Sequence, residues 1–472
     1  MQSVAIVGGG ISGLSAAYFL EKRAREAGAE LSIQLIESRP RLGGVIVTER
    51  SGGFVLEGGP DSFFTQKPAA IELCRALGLA DQLIPSNDHR RKTYVLQQGK
   101  LEELPEGMFF LVPTKVLPVF RSRLLSVTGK LRLMLEPFQS RLRGQEDFSV
   151  SDFVSHRLGR QVLERIAEPL LSAVYGANVD SLSARAVLPQ LLALEEKHGS
   201  LWRGIRQSRR AQAQHGTTGS PGSLFMSLRN GIGDIIQSLQ ASLTKTRVTT
   251  GKKVEKVLRD NPRSAFRLLC PDGELQAEAL ILATPAYAAG ELLQEMDGRL
   301  AGKLEEIPYH STVTVSLGFD EKKFRRTLDG FGFIVPRGEG KKLLACTWVS
   351  TKFSFRCPPG RVLLRGFLGG ARDPAAITEP DGQIIETTLR EIYEIMGVQA
   401  EPLFTRIHRW EKSMPQYSVG HPRRLEEIGT LVSKHPGLFL SGNGYRGIGM
   451  PDCIDSSSTA ASAALHYLQS LR

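Results

Sequence analysis

The sequence predicts a mixed α/β chain with a helical part, in which a Rossmann-type domain is interrupted by inserted domains. An apolar strand at residues 4–7 leads through a glycine-rich turn into an amphipathic helix at residues 12–24, the start of a parallel βαβ unit. A second strand at residues 31–36 ends at an acidic residue. Glycine turns recur near residues 231–233 and 442–449. Because such turns lie at both ends and in the middle of the chain, we expect one domain to be assembled from three segments.

Composition and charge exclude several classes of protein. Of the 472 residues, 41% are hydrophobic and 23% are charged, which excludes a wholly disordered chain. The net charge is +11, which is compatible with nucleic acid, an anionic membrane surface or an anionic small molecule. No RNA-binding strand signature and no zinc-ligand spacing accompany the charge, so we predict no nucleic-acid partner.

The five cysteines and the apolar segments indicate a reduced, water-soluble chain. The cysteines stand at positions 74, 270, 346, 357 and 453 without a CxxC pair, so neither a disulfide framework nor a metal site is expected. The chain opens directly on a strand rather than on a signal peptide. Its longest apolar stretch, residues 108–120, is interrupted by Pro113, Lys115 and Pro118. We expect a cytoplasmic protein with at most a peripheral contact at the inner face of the membrane.

The rest of the sequence also alternates between helix-forming and strand-forming patterns. Helices are predicted at residues 68–77, over most of residues 113–205 with caps at Ser149 and Ser183, and at residues 381–396 and 451–469. Strands are predicted at residues 93–97, in residues 224–300, in residues 308–424 and at residues 438–441. We therefore predict four parts. They are a discontinuous cofactor-binding domain (1–75, 224–300 and 425–472), a substrate-binding domain (76–92 and 301–424), a helical domain (93–205) and a flexible loop (206–223) that lacks any strong hydrophobe.

The first motif is the turn Gly8, Gly9, Gly10, Ile11, Ser12 and Gly13. Gly8 permits the tight turn, Gly10 has no Cβ to block a pyrophosphate, and Gly13 allows the helix and strand to pack closely. The helix N-terminus supplies free N–H groups for the phosphates. Glu37 ends the next strand, where a carboxylate binds ribose hydroxyls. Together these features predict a dinucleotide site rather than an ordinary glycine turn.

A glycine pair that follows Glu37 helps to distinguish FAD from NADP as the cofactor. Arg39 and Arg41 precede Gly43 and Gly44. The arginines are compatible with the 2′-phosphate of NADP, or with solvated loop charges. The glycine pair favours a second backbone approach to a pyrophosphate, which is a flavin feature. FAD is therefore the preferred cofactor.

Two further segments are candidates for contact with a flavin ring. Residues 57–63 combine glycine, proline and a short acid in a turn that is either purely structural or able to touch a planar ring. Pro451 stands where a helix would begin, and that helix N-terminus would stabilise negative charge on a reduced flavin. Cys453 is predicted to be a buried thiol rather than a covalent flavin link. No Ser-His-Asp arrangement, phosphate loop or HExxH is present, so the hydride acceptor is expected to be flavin N5, with no catalytic side chain assigned.

Several longer motifs resemble one family. They include Gly58-Gly59-Pro60-Asp61-Ser62-Phe63, Glu168-Pro169-Leu170-Leu171-Ser172 followed by Tyr175, and Met414-Pro415-Gln416-Tyr417. Over essentially its whole length the chain resembles the FAD-dependent protoporphyrinogen and coproporphyrinogen oxidases of haem biosynthesis, within the flavin amine-oxidase-like superfamily. The resemblance implies a p-hydroxybenzoate-hydroxylase-like architecture.

The resemblance also implies a set of cofactor contacts. The implied FAD-binding residues are Gly8, Gly9, Gly10, Ile11, Ser12, Gly13, Glu37, Ser38, Arg41, Gly44, Val45, Gly59, Pro60, Asp61, Ser62, Val254, Trp410, Gly449, Met450 and Pro451. A strand edge at Val254 can pair with adenine through its backbone. Trp410 would wall the flavin, or else is a core tryptophan.

The implied reaction converts a porphyrinogen to a porphyrin in three two-electron steps, with oxygen as the acceptor. Tyr175, Lys67 and Asp61 are the predicted substrate-binding residues. Lys67 matches a lysine of the soluble bacterial branch and is the expected partner of a propionate. Asp61 either faces a pyrrole N–H or holds its turn.

The identity of the porphyrinogen depends on one departure from the family pattern. The membrane-bound branch carries an arginine where this sequence has Thr93. This favours the soluble bacterial branch and coproporphyrinogen III, with protoporphyrinogen IX as the alternative. A flavin amine oxidase and a non-catalytic flavin or haem carrier are more distant alternatives. A monomer or homodimer is expected, and a transient contact with the next haem-pathway enzyme stays open.

Overall fold

The computed structural model describes residues 1–109, 111–142, 146–214, 223–262, 264–324 and 327–471. The strands are β1 Gln2–Val7, β2 Leu31–Ile36, β3 Thr48–Ser51, β4 Phe54–Glu57, β5 Phe63–Phe64, β6 Leu83–Pro85, β7 Thr93–Gln97, β8 Lys100–Glu103, β9 Met108–Phe109, β10 Val112–Pro113, β11 Phe225–Leu228, β12 Thr246–Thr249, β13 Lys256–Leu258, β14 Phe266–Cys270, β15 Gly273–Ala277, β16 Ala279–Leu282, β17 Tyr309–Asp320, β18 Gly332–Ile334, β19 Ala345–Trp348, β20 Arg361–Gly369, β21 Phe404–Pro415 and β22 Leu438–Leu440.

The helices are α1 Ile11–Glu26, α2 Ala69–Ala76, α3 Val116–Arg121, α4 Val127–Met134, α5 Val150–Leu158, α6 Arg160–Val162, α7 Glu168–Tyr175, α8 Ala184–Val187, α9 Pro189–His198, α10 Leu201–Gln214, α11 Gly233–Ser242, α12 Ala286–Leu293, α13 Gly298–Glu305, α14 Val349–Lys352, α15 Asp381–Met396, α16 His421–Val432 and α17 Met450–Ser470. A π-helical turn, Leu163–Ala167, joins α6 to α7. Within the described residues, no helix is both long enough and apolar enough to cross a membrane.

A parallel sheet with the strand order β12-β2-β1-β16-β22 forms the Rossmann-type domain. Its central strand β1 is apolar and buried, as two covered faces require. Helices α1, α11 and α17 cover one face, and the antiparallel sheet β13-β14-β15 with α12 and α13 covers the other. The strands come from the three predicted segments, and the predicted fold class is confirmed.

The second domain is built on a seven-stranded sheet with the order β21-β17-β20-β19-β18-β7-β8. Its neighbouring strands are antiparallel except for the pair β18 and β7. Helix α15 packs on this sheet through Ile384, Ile392 and Ile395. Arg365 of β20 and Trp410 of β21 donate hydrogen bonds to the Gly58 carbonyl in the turn after β4.

The third unit, α3 to α10, is helical and has an apolar core of its own that includes Val150, Phe153 and Leu191. Both predicted caps are present. The Ser149 hydroxyl accepts from the Asp152 N–H at 3.0 Å, and the Ser183 hydroxyl accepts from the Ala186 N–H at 3.0 Å.

The structure corrects parts of the predicted domain boundaries. Residues 93–103, predicted to belong to the helical domain, form β7 and β8 of the seven-stranded sheet. Leu79 and Leu83, predicted to belong to the substrate-binding domain, pack on the core beneath α1. Residues 301–305, also assigned to that domain, continue α13, which belongs to the Rossmann-type domain. In each case tertiary burial, rather than local sequence pattern, decides which core an element joins.

The predicted loop at residues 206–223 is also partly wrong. Helix α10 continues to Gln214, because arginine, glutamine and alanine are good helix formers even without a strong hydrophobe. Residues 215–222 lie outside the described part of the chain, so the remainder of that prediction is not addressed by the structure.

Candidate active site

A cavity of about 1730 Å³ lies where the three units meet. It begins at the carboxyl ends of β1 and β2, runs past the turn after β4, and ends between α7 and β20. The carboxyl edge of a parallel sheet is where such folds bind their ligands. The volume exceeds the range of roughly 300–1000 Å³ that holds one drug-sized ligand. The cavity therefore has room for a dinucleotide and a second molecule.

The first glycine turn lines the start of the cavity. Gly8 has φ +109°, and a Cβ there would lie 2.6 Å from the Ala283 carbonyl oxygen. A Cβ on Gly13 would lie 1.8 Å from the Gly8 carbonyl oxygen, so Gly13 is a packing position. A Cβ on Gly10 would meet no protein atom within 4 Å, because Gly10 faces the open cavity. No side chain caps the N-terminus of α1, so its first N–H groups are available to an anion.

Glu37 is held rigidly at the end of β2. Its Oε2 accepts from the Gly9 N–H at 2.6 Å, and its Oε1 accepts from the Arg39 N–H at 2.8 Å. The carboxylate is buried, and both Glu37 and the adjacent Ser38 line the cavity. Gly9 therefore acts through Glu37 and is not itself among the cavity-lining residues.

The glycine pair at 43–44 packs directly against the first turn. The Gly43 N–H donates to the Gly9 carbonyl at 2.8 Å. The Arg41 guanidinium donates to the Gly44 carbonyl at 2.7 Å. Arg41 thus braces this turn and is not among the residues that line the cavity, whereas Gly44 and Val45 line it.

The turn after β4 is fixed by three donors to one carbonyl. The Gly58 carbonyl accepts from Trp410 Nε1 at 2.8 Å, from the Thr314 hydroxyl at 3.0 Å and from the Arg365 guanidinium at 3.0 Å. Arg365 also donates to the Gly59 carbonyl. Gly59, Pro60, Ser62 and Trp410 consequently form a rigid wall of the cavity.

Beneath this turn lies a cluster of buried charges. Lys352 Nζ is 3.1 Å from Asp61 Oδ1, and Arg356 is 3.3 Å from Glu57 Oε1. Burial acts to raise the pKa of Asp61, but Lys352 and Arg365 more than offset it and hold that pKa below its usual range. Asp61 is therefore ionised and directed at Lys352. It is not among the cavity-lining residues, and its geometry favours holding the turn.

The beginning of the cavity, beside the Rossmann-type sheet, also presents backbone groups and an unsatisfied hydroxyl. Val254 is buried and lines the cavity. Within the described residues its backbone N–H and C=O have no hydrogen-bond partner, so they are available to a heterocycle. The buried Thr284 hydroxyl also lines the cavity without a partner in the described residues. Buried polar groups are normally paired, so this end of the cavity has the properties of a ligand site.

The N-terminus of helix α17 lines the cavity. Gly449, Met450 and Pro451 line the wall, and Asp452 Oδ2 accepts from the Gly449 N–H at 3.2 Å. Cys453 is buried and unpaired, and burial raises the pKa of its thiol to about 12. This unreactive state agrees with the predicted buried thiol.

The last part of the cavity, between α7 and β20, is mainly apolar. Val174, Tyr175, Leu344 and Phe367 line it. Burial raises the pKa of Tyr175 to about 12, so its hydroxyl stays protonated at neutral pH. Lys67 lies at its edge with its Nζ 2.5 Å from Asp452 Oδ1. A flat apolar ligand with an acidic substituent fits this arrangement.

Sequence reasoning missed several residues of the site. No sequence motif includes Arg365, Arg356 or Lys352, because a buried cation within a strand or short helix has no local sequence signature. Thr284 follows β16 by two residues, and its position just after a parallel strand was an unused signal.

The comparisons with known proteins agree with this geometry. Residues 11–465 match the family described as flavin containing amine oxidoreductase. The chain therefore belongs to this family: it is an FAD-dependent oxidoreductase, and the predicted cofactor is confirmed.

Individual relatives and one solved structure resemble this chain over almost its whole length. Coproporphyrinogen III oxidase of Bacillus subtilis (strain 168) is 34% identical over 98% of each chain. The chloroplastic protoporphyrinogen oxidase of Oryza sativa subsp. japonica is 29% identical over 98% of this chain and 88% of its own. A crystal structure from Exiguobacterium sp. 255-15, provisionally assigned as a protoporphyrinogen oxidase, has a TM-score of 0.85 and 30% identity over 99% of both chains. The predicted family resemblance is confirmed.

The residues present fit FAD. The open face of Gly10 and the uncapped α1 N-terminus suit its pyrophosphate, and the free backbone of Val254 suits adenine. The wall of Gly59, Pro60 and Trp410 and the α17 N-terminus, which line the same cavity, suit the flavin ring. The assignment of individual residues to parts of the cofactor remains our proposal.

Proposed function

We propose that this protein oxidises coproporphyrinogen III to coproporphyrin III, with FAD as hydride acceptor and oxygen as terminal acceptor. The observation that carries the proposal is the full-length likeness to relatives named for this activity, at higher identity than the protoporphyrinogen oxidase of rice. The apolar chamber with a cation at its edge is compatible with a carboxylated macrocycle.

In chemical terms, the substrate loses six hydrogens in three two-electron oxidations. Each oxidation removes a hydride from a meso carbon and releases one proton, so that over the three steps four hydrogens leave the meso carbons and two leave pyrrole nitrogens. Three oxygen molecules become three hydrogen peroxide molecules. FAD, when bound, supplies the hydride-accepting atom. No side chain of this chain has to act as a nucleophile in this scheme.

The roles of the protein residues follow from their places in the cavity. Val174, Leu344 and Phe367 would contact the macrocycle faces and exclude water from them. Lys67 would bind a propionate, and Tyr175 would contact the ring edge. The Gly58 turn, fixed by Trp410 and Arg365, would hold one wall of the flavin pocket at a constant distance from the substrate.

An anaerobic reduction experiment tests this function. Coproporphyrinogen III added to the yellow holoenzyme without oxygen should bleach the flavin and produce a stoichiometric amount of oxidised substrate. Primary amines should leave the flavin oxidised. Bleaching by an amine but not by coproporphyrinogen III would show that the chain is an amine oxidase and would overturn the proposal.

We also propose that the protein works in the cytoplasm, with at most a peripheral contact to the inner face of the membrane. An apolar face of α3, α4 and the following turn supports this contact, with Leu117 59%, Val127 73%, Leu131 57% and Phe138 78% exposed. The Lys130 ammonium donates to the Phe120 carbonyl at 2.7 Å and joins the two helices.

The charge of this segment fits an anionic surface. Residues 111–142 contain six lysines and arginines and one acidic residue, Glu136. Glu136 is fully buried and paired with Arg157 at 2.6 Å, so it does not offset the exposed charge. The oligomeric state and the contact with the next haem-pathway enzyme stay predictions from the sequence.

A further inference from the structure

One edge of the apolar chamber carries a charge arrangement that the sequence motifs did not predict. Lys67 is 45% exposed, and its ammonium is 2.5 Å from Asp452 Oδ1. Asp452 belongs to the first turn of α17, and its other oxygen accepts from the Gly449 N–H. Lys67 and Asp452 together carry no net charge. By themselves they would give an anionic ligand little long-range attraction.

Arg446 lies on the same edge of the cavity. It is exposed and lines the cavity, and within the described residues its guanidinium makes no ion pair or hydrogen bond. The next residue, Gly447, has φ +78°, and a Cβ there would lie 2.2 Å from Asp452 Cγ. Consecutive Cα atoms are about 3.8 Å apart. The Arg446 side chain therefore starts close enough to reach the Lys67–Asp452 pair.

Three other cavity-lining cations contrast with Arg446, because protein groups already hold them. Arg185 donates to the Glu146 carbonyl and pairs with Glu196, Lys256 pairs with Glu295, and Arg365 is bound to the Gly58 turn. A guanidinium that has no protein partner loses no existing bond when it binds a ligand carboxylate. It can also form two parallel hydrogen bonds with that group.

We propose that Arg446 is a specificity-determining residue that binds a carboxylate of the substrate beside Lys67. It adds one positive charge to this edge, where the charges of Lys67 and Asp452 cancel. The inference rests on the proposed function, because it takes the ligand to be a carboxylated porphyrinogen. It predicts selection by carboxylate groups rather than by ring shape alone.

The test measures binding rather than turnover. Coproporphyrin III and its uncharged tetramethyl ester are titrated into the FAD-loaded enzyme at low ionic strength, and porphyrin fluorescence is followed. We expect Arg446→Gln to weaken binding of the tetra-acid by about tenfold and to leave binding of the ester unchanged. Arg446→Lys should lie between wild type and Arg446→Gln. The matched control is Arg160→Gln, since Arg160 is 85% exposed on α6 and lies outside the cavity.

The outcomes separate this inference from the proposed function. Binding of the tetra-acid to Arg446→Gln within twofold of wild type would overturn the inference, and so would equal losses for the acid and the ester. Neither result concerns the oxidation of coproporphyrinogen III, so the proposed function would stand. Arg446-dependent binding in an enzyme that oxidises no porphyrinogen would support the carboxylate site and overturn the function.

Discussion

The indole Nε1 of Trp410 donates a hydrogen bond of 2.8 Å to the carbonyl oxygen of Gly58. This bond ties β21 to the turn after β4, two segments that are more than 300 residues apart in the sequence. It fixes the wall that we assign to the flavin ring. Thr314 of β17 and Arg365 of β20 bind the same oxygen, so three strands of the second domain brace the turn.

Trp410→Phe keeps an aromatic ring and removes this bond. Because two donors to the Gly58 carbonyl remain, we expect a loss of about 1 kcal/mol, or about fivefold weaker FAD binding. Titration of the apoenzyme with FAD measures this change. Trp348→Phe is the control, since the Trp348 Nε1 is buried without a partner in the described residues. Equal losses in the two variants would contradict the assigned role.

Two glycines of the first turn should respond differently to alanine. Gly13→Ala places a methyl group against the Gly8 carbonyl and should destabilise the fold by about 1–3 kcal/mol. Gly10→Ala meets no protein atom, so it should keep the stability of the apoprotein and weaken FAD binding by about tenfold. Thermal unfolding with and without FAD separates the two effects. Gly429→Ala, on α16 with open space around it, controls for the added methyl group.

Removal of the Arg365 guanidinium should take away positive charge that compensates the Asp61 carboxylate. It should also remove the hydrogen bonds that Arg365 donates to the Gly58 turn. Arg365 is buried, and both Asp61 and Glu57 interact with its charge. We expect Arg365→Met to destabilise the protein by about 3 kcal/mol and to reduce its FAD content. Arg361→Met changes an arginine of the same strand that is half exposed and paired with Asp320, and it should change stability by less than about 1 kcal/mol. Comparable losses from both would show that Arg365 has no special role.

His421 should make stability depend on pH. Burial lowers the pKa of His421 to about 4, and in an unfolded chain it is about 6.5. Between these values the unfolded state binds the extra proton, so stability is complete above pH 6.5 and falls as the pH is lowered. The expected loss from pH 7 to pH 5 is about 2 kcal/mol. His421→Gln should remove that part of the loss in denaturant unfolding. If the pH dependence of stability is unchanged in this variant, that dependence arises from other titratable groups.

The apolar face of α3 and α4 gives a further prediction. The double variant Leu131→Ser and Phe138→Ser should bind vesicles of anionic lipid less than wild type does, because both exposed side chains are lost. Sedimentation with anionic and with neutral vesicles measures this binding. Leu403→Ser, at an exposed leucine of the second domain, is the control. Absence of wild-type binding to both kinds of vesicle would contradict the peripheral contact.

The glycine motifs predicted the Rossmann-type core because each of them requires a local backbone geometry. Gly8, Gly10 and Glu37 stand where the motif places them. Arg365 and Lys352 could not be predicted, since their roles depend on contacts with the Gly58 turn, about 300 residues away in sequence. For the same reason Thr93 and its strand were assigned to the wrong domain: a short strand carries no information about which sheet it joins.

The most direct test compares coproporphyrinogen III with protoporphyrinogen IX, supplied at equal concentration to the aerobic holoenzyme. Porphyrin fluorescence above the rate without enzyme gives kcat/KM for each substrate. We predict a clear preference for coproporphyrinogen III, with about three hydrogen peroxide molecules formed per porphyrin. A preference for protoporphyrinogen IX, or no enzymatic oxidation of either, would contradict the proposed function.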